Sequence, residues 1–174
     1  MSHKGSVSRF RQNATVAQRR LVEDEVAHAC AGSDRAHTGC VTAHPLVAVS
    51  VLVGVSDPRV LEAVGSVPRA AFVPPELAEQ ANFDRPLPIP HGQVTTQPSL
   101  VAWMVAALEL EGSERVLEIG TGYGWQTAFL GRLAAEVWSV ERWDDLAEAA
   151  RTQLARQGAT NVDVTVGDGS EGLP

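Results

Sequence analysis

Residues 116–126 read VLEIGTGYGWQ, and this stretch decides the fold class. The run VLEI predicts a short buried strand that ends at Glu118–Ile119. Gly120, Gly122 and Gly124 then turn the chain into a helix, because glycine tolerates unusual φ values and lets a ligand approach the backbone closely. The start of that helix offers free N–H groups and the positive end of its dipole. The stretch therefore predicts a strand, a binding loop and a helix.

The spacing of these glycines differs from that of the dinucleotide-binding fingerprint, which is G-x-G-x-x-G. Here the pattern is E-x-G-x-G-x-G, and Glu118 stands two positions before the first glycine. A carboxylate beside the loop repels a pyrophosphate but suits a ligand that carries an ammonium group. S-adenosylmethionine is such a ligand, and it carries a sulfonium as well.

Strand and helix patterns alternate through residues 113–174. EVWSVER and VDVTVGDG predict two further strands, and DDLAEAARTQLARQG predicts an amphipathic helix that stops at Gly158. This β-α-β-α-β order implies a parallel, right-handed, doubly wound sheet. Glu141 ends the second strand, about 20 residues after the glycines, where Rossmann-like folds place a carboxylate on ribose hydroxyls. Asp168 ends the third strand, where a carboxylate can accept the exocyclic amine of an adenine.

These acids support one another because each follows a strand at the same edge of the predicted sheet. Ligands of open α/β sheets bind at that edge. The alternative is that Glu118, Glu141 and Asp168 are ordinary solvated loop acids.

Composition excludes several function classes. The chain has 174 residues and a net charge of −7, which argues against binding nucleic acid through a basic surface. Its two cysteines cannot form a disulfide scaffold, so a cytoplasmic location is expected. The longest apolar run, Leu46 to Val55, has about half of the roughly 20 residues that a membrane span needs, so no membrane partner is expected.

Residues 1–50 are interpreted as a weakly patterned N-terminal tail. Five side chains of zinc-ligand type occur there, at His28, Cys30, His37, Cys40 and His44. Their irregular spacing lacks the tight pairs of structural zinc sites, so no metal site is predicted.

Residues 51–112 are interpreted as a helical region that also forms a lid for substrate and cofactor. Asp57 followed by Pro58 is typical of a helix start, and the proline-rich stretch FDRPLPIPHGQ predicts an extended loop. Thr95 or Thr96 is expected to cap a helix that begins near Pro98. The predicted buried stripe of that helix consists of Leu100, Val101, Met104, Val105 and Leu108.

From about Gly54 to Pro174 the chain resembles the protein-L-isoaspartate O-methyltransferases, a family of class I S-adenosylmethionine-dependent enzymes. The matching stretches are VSDPRVLEAVGSVPRAAFVP, DRPLPIPHGQVTTQP, VLEIGTGYGWQTAFL, VWSVER and VTVGDGSEGLP. The first two mark this family, whereas the glycine loop marks the wider superfamily. The resemblance implies a Rossmann-like α/β fold with N-terminal helices. It assigns residues 113–174 to the first half of the S-adenosylmethionine-binding domain, with the first three core strands.

The resemblance also implies a reaction. The family transfers a methyl group from S-adenosyl-L-methionine to the α-carboxylate of L-isoaspartyl residues in damaged proteins or peptides, which begins their repair. A carboxylate is already a nucleophile and the sulfonium is a good electrophile. Orientation of the reactants is therefore expected to supply most of the catalysis.

The resemblance gives roles to individual residues. Gly120, Gly122 and Gly124 are expected to hold the methionine part of the cofactor, Glu118 to support the loop, Glu141 to bind the ribose and Asp168 to bind the adenine. The remaining cofactor-binding residues that it implies are Thr121, Gln126, Arg142 and Gly169. On the substrate and lid side it implies His91, Gln93 and Thr95.

Thr96 aligns with a family serine whose hydroxyl contacts the acceptor carboxylate, and it is the expected catalytic residue. Threonine keeps the hydroxyl and adds a methyl group that stiffens χ1. Val94 stands where the family usually has a threonine, and Trp125 stands where it usually has a tyrosine.

The sequence stops just after the third predicted strand, whereas the superfamily has a seven-stranded sheet. The chain is therefore interpreted as truncated at its C-terminus, with impaired catalysis and with association through an exposed sheet edge. Two other functions stay open: a non-catalytic S-adenosylmethionine-binding module, and a carboxyl methyltransferase for another peptide substrate.

Overall fold

The computed structural model describes residues 44–172, which form five helices and five strands in those residues. The helices are α1 (Pro45–Leu52), α2 (Pro58–Ser66), α3 (Pro98–Ala106), α4 (Trp125–Leu133) and α5 (Asp144–Arg156). The strands are β1 (Leu87–Pro88), β2 (Val94–Thr95), β3 (Arg115–Ile119), β4 (Glu136–Glu141) and β5 (Val162–Val166). Short 3₁₀ turns lie at Arg69–Phe72, Pro75–Gln80 and Gly169–Glu171.

The C-terminal part is a parallel sheet with strand order β3-β4-β5, and α4 and α5 connect its strands. Ile119 pairs with Val140, and Val140 pairs with Thr165, so the three strands end together at one edge. This arrangement confirms the predicted Rossmann-like fold. Parallel strands need long crossover connections, and the connecting sequences, which have a helical period, form these crossovers as α4 and α5.

The two faces of this sheet differ in burial. Glu118, Ser139 and Val164 are register partners, so they share one face, and all three are buried. Leu117 and Ile119 point to the opposite face because side chains alternate along a strand, and they are 47% and 54% exposed. The helices therefore cover the face that carries Glu118.

The N-terminal helices pack on one another and on α4. The Asp57 carboxylate accepts a hydrogen bond of 2.8 Å from the Arg59 N–H, which confirms the predicted start of α2. Helix α1 begins at Pro45, inside the segment interpreted as a tail, and its Leu46 and Val47 are buried. The predictions for residues 1–43, including Cys30 and Cys40, lie outside the described residues.

The expected surroundings of α3 need two corrections. Neither Thr95 nor Thr96 caps it; instead the Asp84 carboxylate accepts from the Ser99 N–H at 2.8 Å. The predicted stripe is also partly wrong, because its members Leu100 and Leu108 are about half exposed, whereas Val101 and Val105 are buried. The buried face is completed by Ala102 and Ser99, small residues that an apolar pattern of large side chains does not reveal.

Leu87–Pro88, in the stretch predicted as extended loop, pairs with Val94–Thr95 directly after that stretch, and the two form an antiparallel ribbon. At its tip, His91 and Gly92 have φ values of 61° and 66°. Positive φ at both central positions is what a tight hairpin turn requires. Within residues 44–172, we find no helix long and apolar enough to cross a membrane.

Candidate functional site

The glycine loop joins β3 to α4, and two of its glycines are needed for different reasons. Gly120 has a φ of 91°, and a Cβ there would meet nothing within 4 Å, so this position leaves an open surface. Gly124 has a φ of 90°, and a Cβ there would lie 3.3 Å from the Ala150 Cβ on α5. Gly120 thus keeps the backbone accessible, whereas Gly124 allows the loop to pack against a helix.

Glu118 lies beneath the loop in a buried polar network. Its side chain is 5% exposed, and one carboxylate oxygen accepts hydrogen bonds of 2.5 Å from both the Thr127 and Ser139 hydroxyls. The other oxygen accepts from the Gln126 side-chain amide at 3.0 Å. The Thr121 hydroxyl is 2.5 Å from the Ser139 hydroxyl, which extends the network into the loop.

This network directs Glu118, Thr121 and Gln126 inward, so these three residues do not line the cleft described below. Burial is the main cause that raises the pKa of Glu118, and the nearby Glu141 carboxylate acts in the same direction. The hydrogen bonds from Ser139, Thr127 and Gln126 oppose that shift. Glu118 therefore holds β3, β4 and α4 together under the loop.

Glu141 ends β4 and fixes the loop from the other side. One of its carboxylate oxygens accepts from the Gly122 N–H at 2.7 Å. The second oxygen accepts from the N–H groups of Arg142 and Trp143, at 2.8 and 3.1 Å. Since a carboxylate has about four acceptor positions, these three bonds leave it capacity for one further donor.

Asp168 follows β5 and is exposed. Its carboxylate accepts from the Ser170 N–H at 3.0 Å and from the Ser170 hydroxyl at 2.7 Å. These two bonds lower the pKa of Asp168, so the carboxylate is ionised throughout the neutral range. Both bonds use the same oxygen, Oδ1, and Oδ2 lies outside them.

A cleft of about 290 Å³ opens where β3, β4 and β5 end. Six of the predicted site residues line it: Gln93, Gly120, Glu141, Arg142, Asp168 and Gly169. Gly122 and Gly124 shape the loop without lining the cleft. Its charged groups are two carboxylates and one guanidinium, a set that favours a ligand with hydroxyls, amines or positive charge over a phosphate.

Several residues of the cleft were missed in the sequence. Ile119 and Val140 give it apolar walls, and the lining is completed by Trp143, Gly167 and Ser170. Trp143 lies two positions after Glu141, the acidic end of β4. This place just after a strand could have identified it as a cleft residue from the sequence. In residues 44–172, no three His, Cys, Asp or Glu side chains group in a way that would hold a metal ion.

The hairpin of β1 and β2 reaches the cleft through Gln93. Its tip is fastened by His91, whose ring stacks on Trp143 with centroids 4.0 Å apart and an angle of 6°. The His91 Nε2 also lies 2.8 Å from an Asp145 carboxylate oxygen, and this hydrogen bond is the main cause that lowers the pKa of Asp145.

Thr95 and Thr96 lie at the base of the hairpin, outside the cleft lining, and both are partly buried. Their backbone carbonyls accept hydrogen bonds from the buried side chain of Arg69. Arg69 was not identified from the sequence, because an isolated arginine in PRAAF carries no spacing signal.

Known proteins share this arrangement of elements. Over residues 46–174 the chain matches the family described as Protein-L-isoaspartate(D-aspartate) O-methyltransferase (PCMT). A protein-L-isoaspartate O-methyltransferase of Myxococcus xanthus is 56% identical over 121 residues, which are 70% of this chain and 57% of the relative. Another, from Methanoculleus marisnigri, is 53% identical over 121 residues, 70% of this chain and 55% of the relative. The chain thus spans somewhat more than half of the length of these curated relatives.

Solved structures give the same result at the level of the fold. A protein-L-isoaspartate O-methyltransferase that is 30% identical superposes with a TM-score of 0.64, covering 74% of this chain and 43% of that one. A Plasmodium falciparum protein in complex with S-adenosyl-L-homocysteine is 21% identical, with a TM-score of 0.57 over 70% of this chain and 62% of that one. At that identity the likeness concerns the fold alone.

Proposed function

Since the chain belongs to the protein-L-isoaspartate O-methyltransferase family over residues 46–174, we propose that it binds S-adenosyl-L-methionine in the cleft and methylates isoaspartyl residues. The acceptor is the α-carboxylate of an L-isoaspartyl residue in a damaged protein or peptide. The observation that carries this proposal is the cleft itself, which the accessible backbone of Gly120 lines together with Glu141 and Asp168. The cytoplasmic location stays a prediction.

The donor set of the cleft fits this cofactor. Glu141 retains capacity to accept a ribose hydroxyl, and the Asp168 Oδ2 has capacity to accept an adenine amine. Ile119 and Val140 supply apolar walls for a flat base. Two carboxylates near the loop favour the ammonium and sulfonium groups of the methionine part. When bound, S-adenosyl-L-methionine supplies an electrophilic methyl group with a neutral thioether as its leaving group.

The residues of the chain are proposed to act by orientation. The acceptor carboxylate is already nucleophilic, so no residue needs to remove a proton from it. The Thr96 hydroxyl donates a hydrogen bond to that carboxylate and fixes its direction. Glu118 holds the loop through buried hydrogen bonds, and Gln93 with the fastened hairpin restricts water at the open side. Holding two reactants in line is worth several orders of magnitude in rate.

Binding and transfer are tested separately with the 174-residue chain. Isothermal titration calorimetry with S-adenosyl-L-homocysteine measures the cofactor site. Transfer of a labelled methyl group is then compared between an isoaspartyl peptide and its aspartyl twin of identical sequence. We expect binding of one equivalent and slow methylation, in keeping with the predicted impairment of catalysis, of the isoaspartyl peptide alone. Binding without transfer would favour the non-catalytic module, and equal labelling of both peptides would favour another carboxyl substrate.

Asp168→Asn should weaken S-adenosyl-L-homocysteine binding about tenfold, because an acceptor for the adenine amine becomes a donor. The variant keeps an oxygen for the Ser170 hydrogen bonds, so the turn after β5 should persist. Asp163→Asn on the same strand is the matched control, since Asp163 is exposed and outside the cleft. Calorimetry gives both affinities, and equal affinities for the two variants would contradict the role of Asp168.

Thr96→Val should lower kcat/KM for the isoaspartyl peptide about tenfold, because valine keeps the shape of threonine but cannot donate to the acceptor. Thr96→Ser should retain transfer. The affinity for S-adenosyl-L-homocysteine should stay within twofold of the original in both variants. Thr160→Val, at an exposed position before β5, controls for the loss of a threonine hydroxyl. Unchanged kinetics in Thr96→Val would remove Thr96 from the mechanism.

A further inference from the structure

Arg69 lies in the 3₁₀ turn after α2 and is 1% exposed, so its guanidinium is inside the protein. Its Nη1 and Nη2 atoms donate to backbone carbonyls of two loop segments, those of Ala81, Phe83 and Arg85 and those of Thr95 and Thr96. The bond to the Thr96 carbonyl is 3.0 Å long. One side chain therefore connects the segment before the hairpin with the segment that carries both threonines.

A buried cation is costly unless its hydrogen bonds are satisfied. The guanidinium lies 5.3 Å from the centroid of the Trp125 ring, which covers one of its faces. Burial lowers the pKa of Arg69 to about 10, and the Asp84 carboxylate opposes that shift. The group stays protonated at neutral pH. The loop carbonyls satisfy its Nη1 and Nη2 atoms, whereas its Nε is buried without a hydrogen-bond partner among residues 44–172.

Asp84 fixes the chain just after the two threonines, where α3 begins. Its carboxylate accepts from the Gln97 amide at 2.9 Å and from the Ser99 hydroxyl at 2.8 Å, in addition to the Ser99 N–H. Arg69 thus bonds to the carbonyls of the two threonines, and Asp84 bonds to the helix start that directly follows them. Their backbone is fixed by polar contacts on both sides.

We propose that Arg69 is a positioning residue for methyl transfer, which sets the place of the Thr96 hydroxyl by holding the carbonyls of Thr95 and Thr96. This inference rests on the proposed function, in which that hydroxyl contacts the acceptor. The planar guanidinium suits the task because it donates in several fixed directions at once, whereas an ammonium is a single point of donation.

The decisive variant is Arg69→Lys, which keeps the charge but cannot reach carbonyls of both segments from one planar group. Hydrogen exchange followed by mass spectrometry, without any ligand, should show at least tenfold faster exchange in residues 93–97. Exchange in β4, residues 136–141, should be unchanged. Arg85→Lys is the matched control, because the Arg85 side chain contacts Gln80 and Phe83 rather than the threonines.

The kinetic expectation separates positioning from general stability. In Arg69→Lys, kcat/KM for the isoaspartyl peptide should fall about 10- to 100-fold, since misplacement by about 1 Å has effects of that size. The affinity for S-adenosyl-L-homocysteine should stay within twofold, because Arg69 does not line the cleft. Unchanged kcat/KM, unchanged exchange in residues 93–97, or equally faster exchange in residues 136–141 would overturn the inference.

Two further outcomes are distinguishable. If the original chain methylates no isoaspartyl peptide, the proposed function fails and this inference fails with it; if only Arg69→Lys is indistinguishable from the original, the inference fails alone. Should Arg69→Lys not fold, the original chain labelled with ¹⁵N-arginine provides the test. Nuclear Overhauser contacts between the Arg69 Nη protons and Thr96 Hα are expected, and their absence would overturn the inference.

Discussion

Replacing Glu118 with alanine should lower the free energy of unfolding by about 3 kcal/mol, because two buried hydroxyls and one partly buried amide lose their acceptor. Thr127 and Ser139 are fully buried, so water cannot easily replace the carboxylate. The loss is measured from guanidinium-induced unfolding followed by circular dichroism. Glu136→Ala is the matched control on the adjacent strand, where an exposed glutamate faces Arg115 at 3.4 Å. That control should change stability by less than about 1 kcal/mol.

Glu118→Gln tests how the stability contributed by Glu118 depends on pH. Burial raises the pKa of Glu118, so the folded chain holds this proton more tightly than the unfolded chain does. Stability from this group is present below the ordinary glutamate pKa and is lost as the pH rises through the folded pKa. Glu118→Gln should remove that slope. Equal losses in Glu118→Ala and Glu136→Ala would contradict the structural role of Glu118.

Gly124→Ala should destabilise the chain by about 3 kcal/mol, combining the cost of a left-handed backbone with overpacking. The new methyl group would lie 3.3 Å from the Ala150 Cβ and 3.4 Å from Leu154, both on α5. The Ala150 Cβ cannot move without shifting the helix that packs on β5. Thermal or denaturant unfolding gives the change in free energy.

Gly112→Ala measures separately the cost of placing alanine in a left-handed backbone conformation. Gly112 has a φ of 104°, and a Cβ there would meet nothing within 4 Å, so only conformational strain changes. We expect a loss of about 1 kcal/mol. The difference in unfolding free energy between the two variants then measures the cost of crowding between the glycine loop and α5. Equal losses would show that this crowding does not affect stability.

The C-terminal fold was predictable because each of its elements has a clear period. The strands around Val116, Val137 and Val164 are short apolar runs, and the helix that stops at Gly158 is amphipathic. Parallel order then follows from the alternation of strands and helices. The ends of β4 and β5 bring Glu141 and Asp168 to one cleft for the same reason.

The inward direction of Glu118 was also available in the sequence. Side chains alternate along a strand, so Glu118 shares a face with Val116 rather than with Ile119. Position after a strand indicates that an acid is near a site, but the strand period decides whether its carboxylate faces the ligand or the core. Glu141 keeps part of its acceptor capacity for the cleft, whereas Glu118 uses its carboxylate within the protein.

The middle region was less predictable because its contacts are long-range and polar. Arg69 bonds to carbonyls that lie 12 to 27 residues away along the chain, and the type of a residue does not reveal that its backbone carbonyl accepts a hydrogen bond. Asp84 caps α3 from outside the sequence window in which a cap is normally sought. The stacking of His91 on Trp143 joins two elements whose proximity only the folded sheet creates.

That stack gives the molecule an optical property. The Trp143 indole lies at the rim of the cleft with the His91 imidazole parallel to it at 4.0 Å. A ring stacked directly on an indole changes its emission, so displacing the hairpin tip from Trp143 is expected to change the fluorescence of that tryptophan. The chain has four tryptophans, so the contribution of Trp143 is obtained by comparison with Trp143→Phe, and no attached dye is needed.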